Sequence, residues 1–410
     1  MFDIEQIKAS GLCSGCGLCA GIGNQDQPGI EMGLSEQGYR RPKRIGDVSA
    51  DHARKIDQVC PGVNIRHEPE SFEATYSPTW GPVIKARLGW SSDEALRYKA
   101  SSGGGLSAIL LHLIESGEID YVLQTSVAAD SPIRNAITVS SDREGVMLAA
   151  GSRYAPSSPL EDIGSRLDEP RRFAFVGKPC DVAGLRQLAR HDPRVDEKVP
   201  FMISFMCAGV PSYSGTSDLL EQMGVSDESE VEAFRYRGEG WPGNATAKMK
   251  DGSTRSMDYD TSWGRILNRH LQFRCKICAD GIGEFADIVC ADGWYCDADG
   301  NPMFDENHGR SIVLTRTNRG EALVARAIKA GKLVAEPVEL EEIIKMQPYQ
   351  SLRKGLVFFR LAALALLRKP RPRYEKLEML SGARAFGVVA GLRNFFGMLR
   401  RSLSDRGPAK

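Results

Sequence analysis

Three cysteines at strict two-residue intervals, in Cys13-Ser14-Gly15-Cys16-Gly17-Leu18-Cys19, constrain this chain more than any other stretch. With a distant fourth at Cys60-Pro61, the spacing matches the grip on one iron–sulfur cube. A short backbone arc presents three thiolates to three irons, and a remote cysteine completes the set. Gly15 and Gly17 let the arc fold tightly, because glycine tolerates positive φ and carries no Cβ to collide with sulfide. Zinc is the competing reading, although structural zinc usually takes two separated pairs of ligands. The stretch points to a redox protein.

At 410 residues the chain is long enough for two or three domains. Net charge is zero but unevenly spread: residues 351–410 carry 14 Lys and Arg against 3 Asp and Glu, so an acidic body precedes a basic tail. The start, Met1-Phe2-Asp3-Ile4-Glu5, has neither the basic nor the apolar region of a secretory signal. Ten cysteines without such a signal point to metal binding in a reducing compartment, so a cytoplasmic location is expected. No apolar run reaches the length of a membrane span.

Residues 1–75 read as a small cysteine-bearing module, closed by a linker at Ser77–Pro82. Val83 to Trp90 alternates like a half-buried strand. Ser101-Ser102-Gly103-Gly104-Gly105 then opens into an apolar helix ending near Gly117. Such a loop at a helix start offers free N–H groups to an anion, or is simply a linker. Tyr121–Val127, Phe173–Gly177 and Pro200–Met206 read as strands, with a helix begun by Lys178-Pro179-Cys180 between the last two. This alternation predicts a mixed, largely parallel α/β sheet with its ligand at the carboxyl edge, where Cys180 and Cys207 fall. Cys275 and Cys278 add a C-x2-C pair, which alone suits zinc, a redox dithiol or half a cluster.

Taken in order, the C-x2-C-x2-C module, Ser101–Gly105, Gly177-Lys178-Pro179-Cys180, Cys207-Ala-Gly-Val-Pro-Ser212 and Cys275–Cys278 with Ala286-Asp287 resemble one family over residues 1–345. It is the coenzyme F420 hydrogenase/dehydrogenase beta-subunit family. The resemblance implies an FAD-containing protein with two 4Fe-4S clusters and a ferredoxin-like amino-terminal module. Cys13, Cys16, Cys19 and Cys60 would hold the outer cluster. Cys180, Cys207, Cys275 and Cys278 would hold an inner one near the flavin ring. Ser101, Ser102, Gly103, Gly104 and Gly105 would wrap the flavin, with Arg153, Tyr154 and Lys178 lining its pocket. Cys290 and Cys296 have no counterpart in that pattern, so either could replace an inner ligand. The tail beyond residue 350 is also unlike the family.

The expected organisation is thus α/β (α+β overall). A ferredoxin-like module (1–75) precedes a flavin-binding core in two parts (83–225 and 226–345) and a basic amphipathic helical tail (350–410). The expected function is an oxidoreductase that takes single electrons from ferredoxin or another one-electron donor and passes two to an organic or deazaflavin-type acceptor. Valence supplies the logic: clusters carry one electron at a time, flavin carries one or two. Lys178 would stabilise negative charge on the reduced ring, or serve as a solvated loop lysine. The alternatives are an electron-transfer subunit with no substrate of its own and a zinc-stabilised binding module. No nucleic-acid partner is expected, and the chain is read as a homo-oligomer or a subunit of a complex. In the tail, Leu356–Leu367 and Arg384–Leu403 mix apolar residues with arginines. They suit either peripheral contact with the inner face of a membrane or packing on the acidic body.

Overall fold

Phe173–Gly177 and Phe201–Phe205 are apolar almost throughout, which suits strands covered on both faces. In the computed structural model, which describes residues 2–23, 28–67 and 74–404, they form the middle of an eight-stranded sheet. Its strands in chain order are β1 (Lys85–Ser91), β2 (Tyr121–Ala128), β3 (Ser131–Ser140), β4 (Phe173–Gly177), β5 (Phe201–Phe205), β6 (Ile288–Asp292), β7 (Ser311–Thr315) and β8 (Leu333–Pro337). Across the sheet they lie in the order β8-β1-β7-β6-β5-β4-β2-β3. Three pairings, those joining β2, β4, β5 and β6, are parallel. The other four are antiparallel, so the sheet is mixed as expected, but its parallel part is confined to β6, β5, β4 and β2. The reason is connectivity. Residues 293–310 join β6 to β7 without a crossover helix, and a short turn joins β2 to β3, so the chain doubles back.

Helix α1 (Gly105–Glu115) packs with Val122, Ala174, Val176 and Ile203 on one face of the sheet. Helix α2 (Pro179–Ala189) packs with Leu123, Phe175 and Met202 on the other. The amino-terminal module contributes the hairpin of Ile30–Leu34 with Arg40–Arg44 and a helix at Ala50–Val59. Its last short strand, Asn64–Arg66, pairs in parallel with Arg373–Glu375 from the tail.

That pairing shows how the tail is used. Helix α3 (Pro348–Leu366) enters the core: Val357, Leu361, Ala363 and Leu364 join the main apolar cluster, and Arg353 and Lys354 are only 5% and 2% exposed. The first basic-apolar segment therefore packs mainly on the body, with Leu366 its one strongly exposed large apolar residue. Helix α4 (Val388–Leu403) runs alongside α3, with Gly391 beneath the Phe359 ring. The end of the tail beyond 404 lies outside the described residues.

Glu284 links four of these segments. Its carboxylate lies 3.0 Å from His67 Nε2, accepts a 2.8 Å bond from Tyr76 and pairs with Lys354. Burial pushes its pKa up, but Lys354 and His67 outweigh this and hold it near about 2. A carboxyl depressed from 4.5 to about 2 adds stability that is full above the higher value and lost as pH falls toward the lower. Urea melts from pH 5 to pH 2 should therefore show wild-type stability declining across that window. Glu284→Gln should begin about 3–5 kcal/mol lower, because the buried Lys354 loses its ion-pair partner, and should decline less steeply.

Candidate functional site

Cys13, Cys16, Cys19 and Cys60 ring one small void of ≈ 20 Å³ walled by Ile7, Leu18, Ile56 and Val59. Burial pushes the Cys16 and Cys19 thiols up, and each is raised further by the other cysteines of the set. Cys60 is pushed up to about 11, by burial and then by Cys13. Thiols so placed become thiolates only when a metal centre replaces their protons. Among the described residues, no three His, Cys, Asp or Glu side chains converge on a point as they would round a single ion. Four thiols round one void are a donor set that fits a 4Fe-4S cluster.

The outer arc is docked on the core. Leu160 N–H donates to Cys16 O at 2.9 Å, Ser158 Oγ to Gly15 O at 3.0 Å and Gln272 Nε2 to Ser14 O at 3.2 Å. Gly17 has φ +87°, and a Cβ there would lie 2.7 Å from Glu161 N. Its glycine is required by this close approach as well as by the turn.

Cys180, Cys207, Cys275 and Cys278 are brought together from three places in the chain. Cys180 is in the first turn of α2, Cys207 follows β5, and Cys275 and Cys278 flank the end of a short helix. Burial raises the Cys180 thiol, which also feels the charge of Cys207 and Cys278. Cys207 is pushed up to about 12 by burial and then by Cys275. Val210 N–H donates to Cys275 Sγ at 3.4 Å. Cys290 pairs with Phe205 in the sheet and lines the cavity at the carboxyl edge of the parallel strands; burial alone raises its thiol, and neither Cys290 nor Cys296 is shifted by another cysteine.

Three buried cations face the inner thiols. Lys178 acts on Cys180, Arg353 lies beside Cys207, Cys275 and Cys278, and Arg274 lies beside Cys275, Cys278 and Cys180. Such a donor set, all sulfur and balanced by fixed positive charge, fits an anionic iron–sulfur cluster held in a low-dielectric interior. Arg274 also donates to Pro61 O at 2.8 Å and Gly62 O at 3.0 Å, joining the inner loop to the turn after Cys60.

A cavity of ≈ 290 Å³ opens at the carboxyl edge of the parallel strands. That is near the lower end of the roughly 300–1,000 Å³ of small-molecule sites. Ser101, Ser102, Gly104, Gly105, Arg153, Tyr154 and Lys178 line it, as does Cys207. Gly103 is not on the wall: its φ is +63° and a Cβ would lie 2.7 Å from Arg310 Cα, so it serves the packing of the loop on residues 309–310. Helix α1 starts at the cavity with no side-chain cap from its N-cap residue; Gly105 N–H donates to Ser311 Oγ at 3.4 Å, and the N–H groups that follow in the first turn suit an anionic ligand. Arg153 spends its guanidinium on Asn135 Oδ1 and the carbonyls of Phe234, Pro132 and Arg134, so it builds the wall and offers no free charge.

Lys178 Nζ lies 2.7 Å from Asp181 Oδ2 and 3.3 Å from Ser157 Oγ. Burial favours loss of its proton, but Asp181 and Cys180 outweigh burial and raise its pKa. It is a fixed cation on the cavity wall, not the solvated lysine of the bland reading.

Sequence reasoning missed one wall of the cavity. Arg237 donates to Asp292 at 2.9 and 3.0 Å and to Ser101 O at 2.7 Å, and it lies over the Tyr259 and Trp294 rings. Trp294 in turn stacks on Trp241 with ring centres 4.7 Å apart. The density of Arg, Gly and Trp in Arg235–Gly243 was the available signal, and it reads equally as a turn. Gln347 and Gln350 reach the cavity from the start of the tail.

Comparison with known proteins matches two family models to the chain. "Coenzyme F420 hydrogenase/dehydrogenase, beta subunit N-term" covers residues 86–163 and the corresponding C-terminal model covers 170–341. A coenzyme F420-dependent sulfite reductase of Methanocaldococcus jannaschii is 25% identical over 84% of this chain, which spans 50% of that protein. A coenzyme F420 hydrogenase subunit beta of Methanococcus voltae is 26% identical over 63% of this chain and 84% of the relative. Among solved structures, a chain of the F420-reducing [NiFe] hydrogenase complex from Methanosarcina barkeri aligns with a TM-score of 0.52 at 21% identity. The alignment covers 69% of this chain and 96% of that one, and it speaks for the fold.

The assignment of the inner ligands is directly testable. After anaerobic purification, Cys278→Ser should lose about half the iron of the wild type, since each cube takes four thiolates. Cys290→Ser and Cys296→Ser should keep all of it. Iron retained in the first variant and lost in either of the others would reassign the inner ligands.

Proposed function

We propose a function for a chain that belongs to the coenzyme F420 hydrogenase/dehydrogenase beta-subunit family: an iron–sulfur flavoprotein oxidoreductase, working between a one-electron donor such as ferredoxin and a two-electron organic or deazaflavin-type acceptor. One observation carries the reading. Cys207 belongs at once to the inner thiol set and to the wall of the cavity, so whatever those thiols hold abuts whatever the cavity holds. When bound, 4Fe-4S clusters would supply one-electron transfer and FAD the change between one- and two-electron steps.

The chain's own residues supply the rest. Outer and inner thiols flank the start of α2, where the Asp181 charge reaches both Cys16 and Cys180. A route from the surface to the cavity therefore stays within the protein's packed interior. Lys178, held charged by Asp181, places positive charge beside the cavity and favours a reduced, anionic ring there. The N-terminus of α1 and the turn at Ser101–Gly105 offer backbone donors to a phosphate. Tyr259, Trp263 and Trp294 give the opposite wall flat faces for a planar ligand. Ligation by thiolates, with all ten cysteines unpaired, fits a reducing cytoplasm.

A second reading, an electron-transfer subunit with no substrate of its own, is favoured by the relatives named as subunit beta and by the structural match within a hydrogenase complex. Anaerobically isolated protein should contain about eight irons and about one FAD per chain. With reduced ferredoxin as donor, consumption of an organic acceptor by the isolated chain supports the reductase. Electron exchange with a deazaflavin alone supports the subunit. Zinc without iron would overturn both. Lys178→Met should slow flavin reduction roughly ten- to a hundred-fold at unchanged iron content, with Lys178→Arg recovering part of the loss.

A further inference from the structure

We propose that α4 docks the protein on an anionic lipid surface, lying in the plane of the headgroups. The helix has two unlike sides. One packs on α3: Gly391 sits beneath the Phe359 ring, where a Cβ would approach to 2.2 Å, Met398 is 2% exposed, and Arg360 Nε donates to Asn394 Oδ1 at 3.0 Å. Lys369 Nζ donates to Ser402 O at 2.6 Å near the far end. The helix is therefore held firmly and its orientation is set.

The other side has no partner among the described residues. Val388, Val389, Leu392, Phe396 and Leu403 are 45–69% exposed. At 3.6 residues per turn these five fall within a sector of about 100°, a continuous stripe about 22 Å long. Scattered exposed apolar residues are ordinary, but five on one helix face mark a surface that something covers.

The chemistry favours lipid over protein. Every position in the sector is apolar, whereas a protein interface interleaves polar groups that hydrogen-bond across it. From Met379 to Leu403 the chain carries four arginines and no acidic residue. Arg393 and Arg400 lie exposed along one edge of the stripe, suited to meeting lipid phosphates while the apolar side chains enter the acyl boundary. Among the described residues no helix is long and apolar enough to cross a membrane, and at 16 residues α4 would be about 24 Å long against a core of roughly 30 Å. Contact in the plane is the geometry left.

The test is sedimentation of the full, iron-loaded chain with vesicles of phosphatidylcholine alone or mixed with phosphatidylglycerol. Wild-type protein should pellet with the mixed vesicles, far less with the neutral ones, and less again as salt is raised. The exposed-face variant Val389→Glu/Phe396→Glu should weaken pelleting about ten-fold or more, and Arg393→Glu/Arg400→Glu should do the same on anionic vesicles only. Unchanged iron content and circular dichroism would show that both variants fold. Pelleting that ignores Val389→Glu/Phe396→Glu, or no pelleting by wild type, would overturn the proposal. So would a dimer abolished by Val389→Glu/Phe396→Glu without vesicle binding, which would give the stripe to a second copy of the chain.

Discussion

The buried ion pair between Lys178 and Asp181 is the contact on which the site depends. Asp181 is fully buried and accepts the Lys178 backbone N–H at 2.9 Å as well as its ammonium group at 2.7 Å. It therefore shapes the turn from β4 into α2, and that turn carries Cys180 and faces the cavity. Its charge also reaches Cys16 in the outer set. Removing either partner leaves an uncompensated charge inside the protein, which is far costlier than never having buried the pair.

The same electrostatic demand explains much of the basic tail. Thiolates and carboxylates in a low-dielectric interior need cations, and the chain recruits them from distant segments. Arg353 donates to Cys207 O at 2.9 Å beside the inner thiols, and Lys354 answers Glu284 one residue later. Arg274 joins the inner loop to the turn after Cys60. Part of the charge asymmetry between body and tail is thus an internal pairing. What remains exposed, on α4, is arginine beside apolar surface with no acidic residue paired to it among the described residues.

Asp287 shows how a motif residue can serve structure alone. Its carboxylate accepts Met202 N–H at 2.8 Å, Thr317 Oγ1 at 2.8 Å and Arg319 Nε at 2.6 Å, away from the cavity. It ties the start of β5 to the segment that follows β7. Its place in an ordered set of motifs carried no information about that role, because a buried acid with several donors looks the same in sequence as a reactive one.

Local features were legible from the residues. The arc at Cys13–Cys19, the strands at Phe173–Gly177 and Phe201–Phe205, and the starts of α1 and α2 depend on spacing, glycine and proline chemistry and unbroken apolar runs, all written within a few residues. Long-range features were not. The antiparallel strands flanking the parallel centre, the aromatic wall around Arg237, and the gathering of Cys180, Cys207, Cys275 and Cys278 depend on which distant segments pack together. Hydropathy could show that Leu356–Leu367 was apolar and flanked by cations. It could not show that Arg353 and Lys354 turn inward to paired partners. By itself the sequence determined that this chain gathers thiols in an α/β frame. Tertiary packing alone decided which thiols share a site and which apolar helix remains exposed, because burial and charge pairing are settled between segments, not within them.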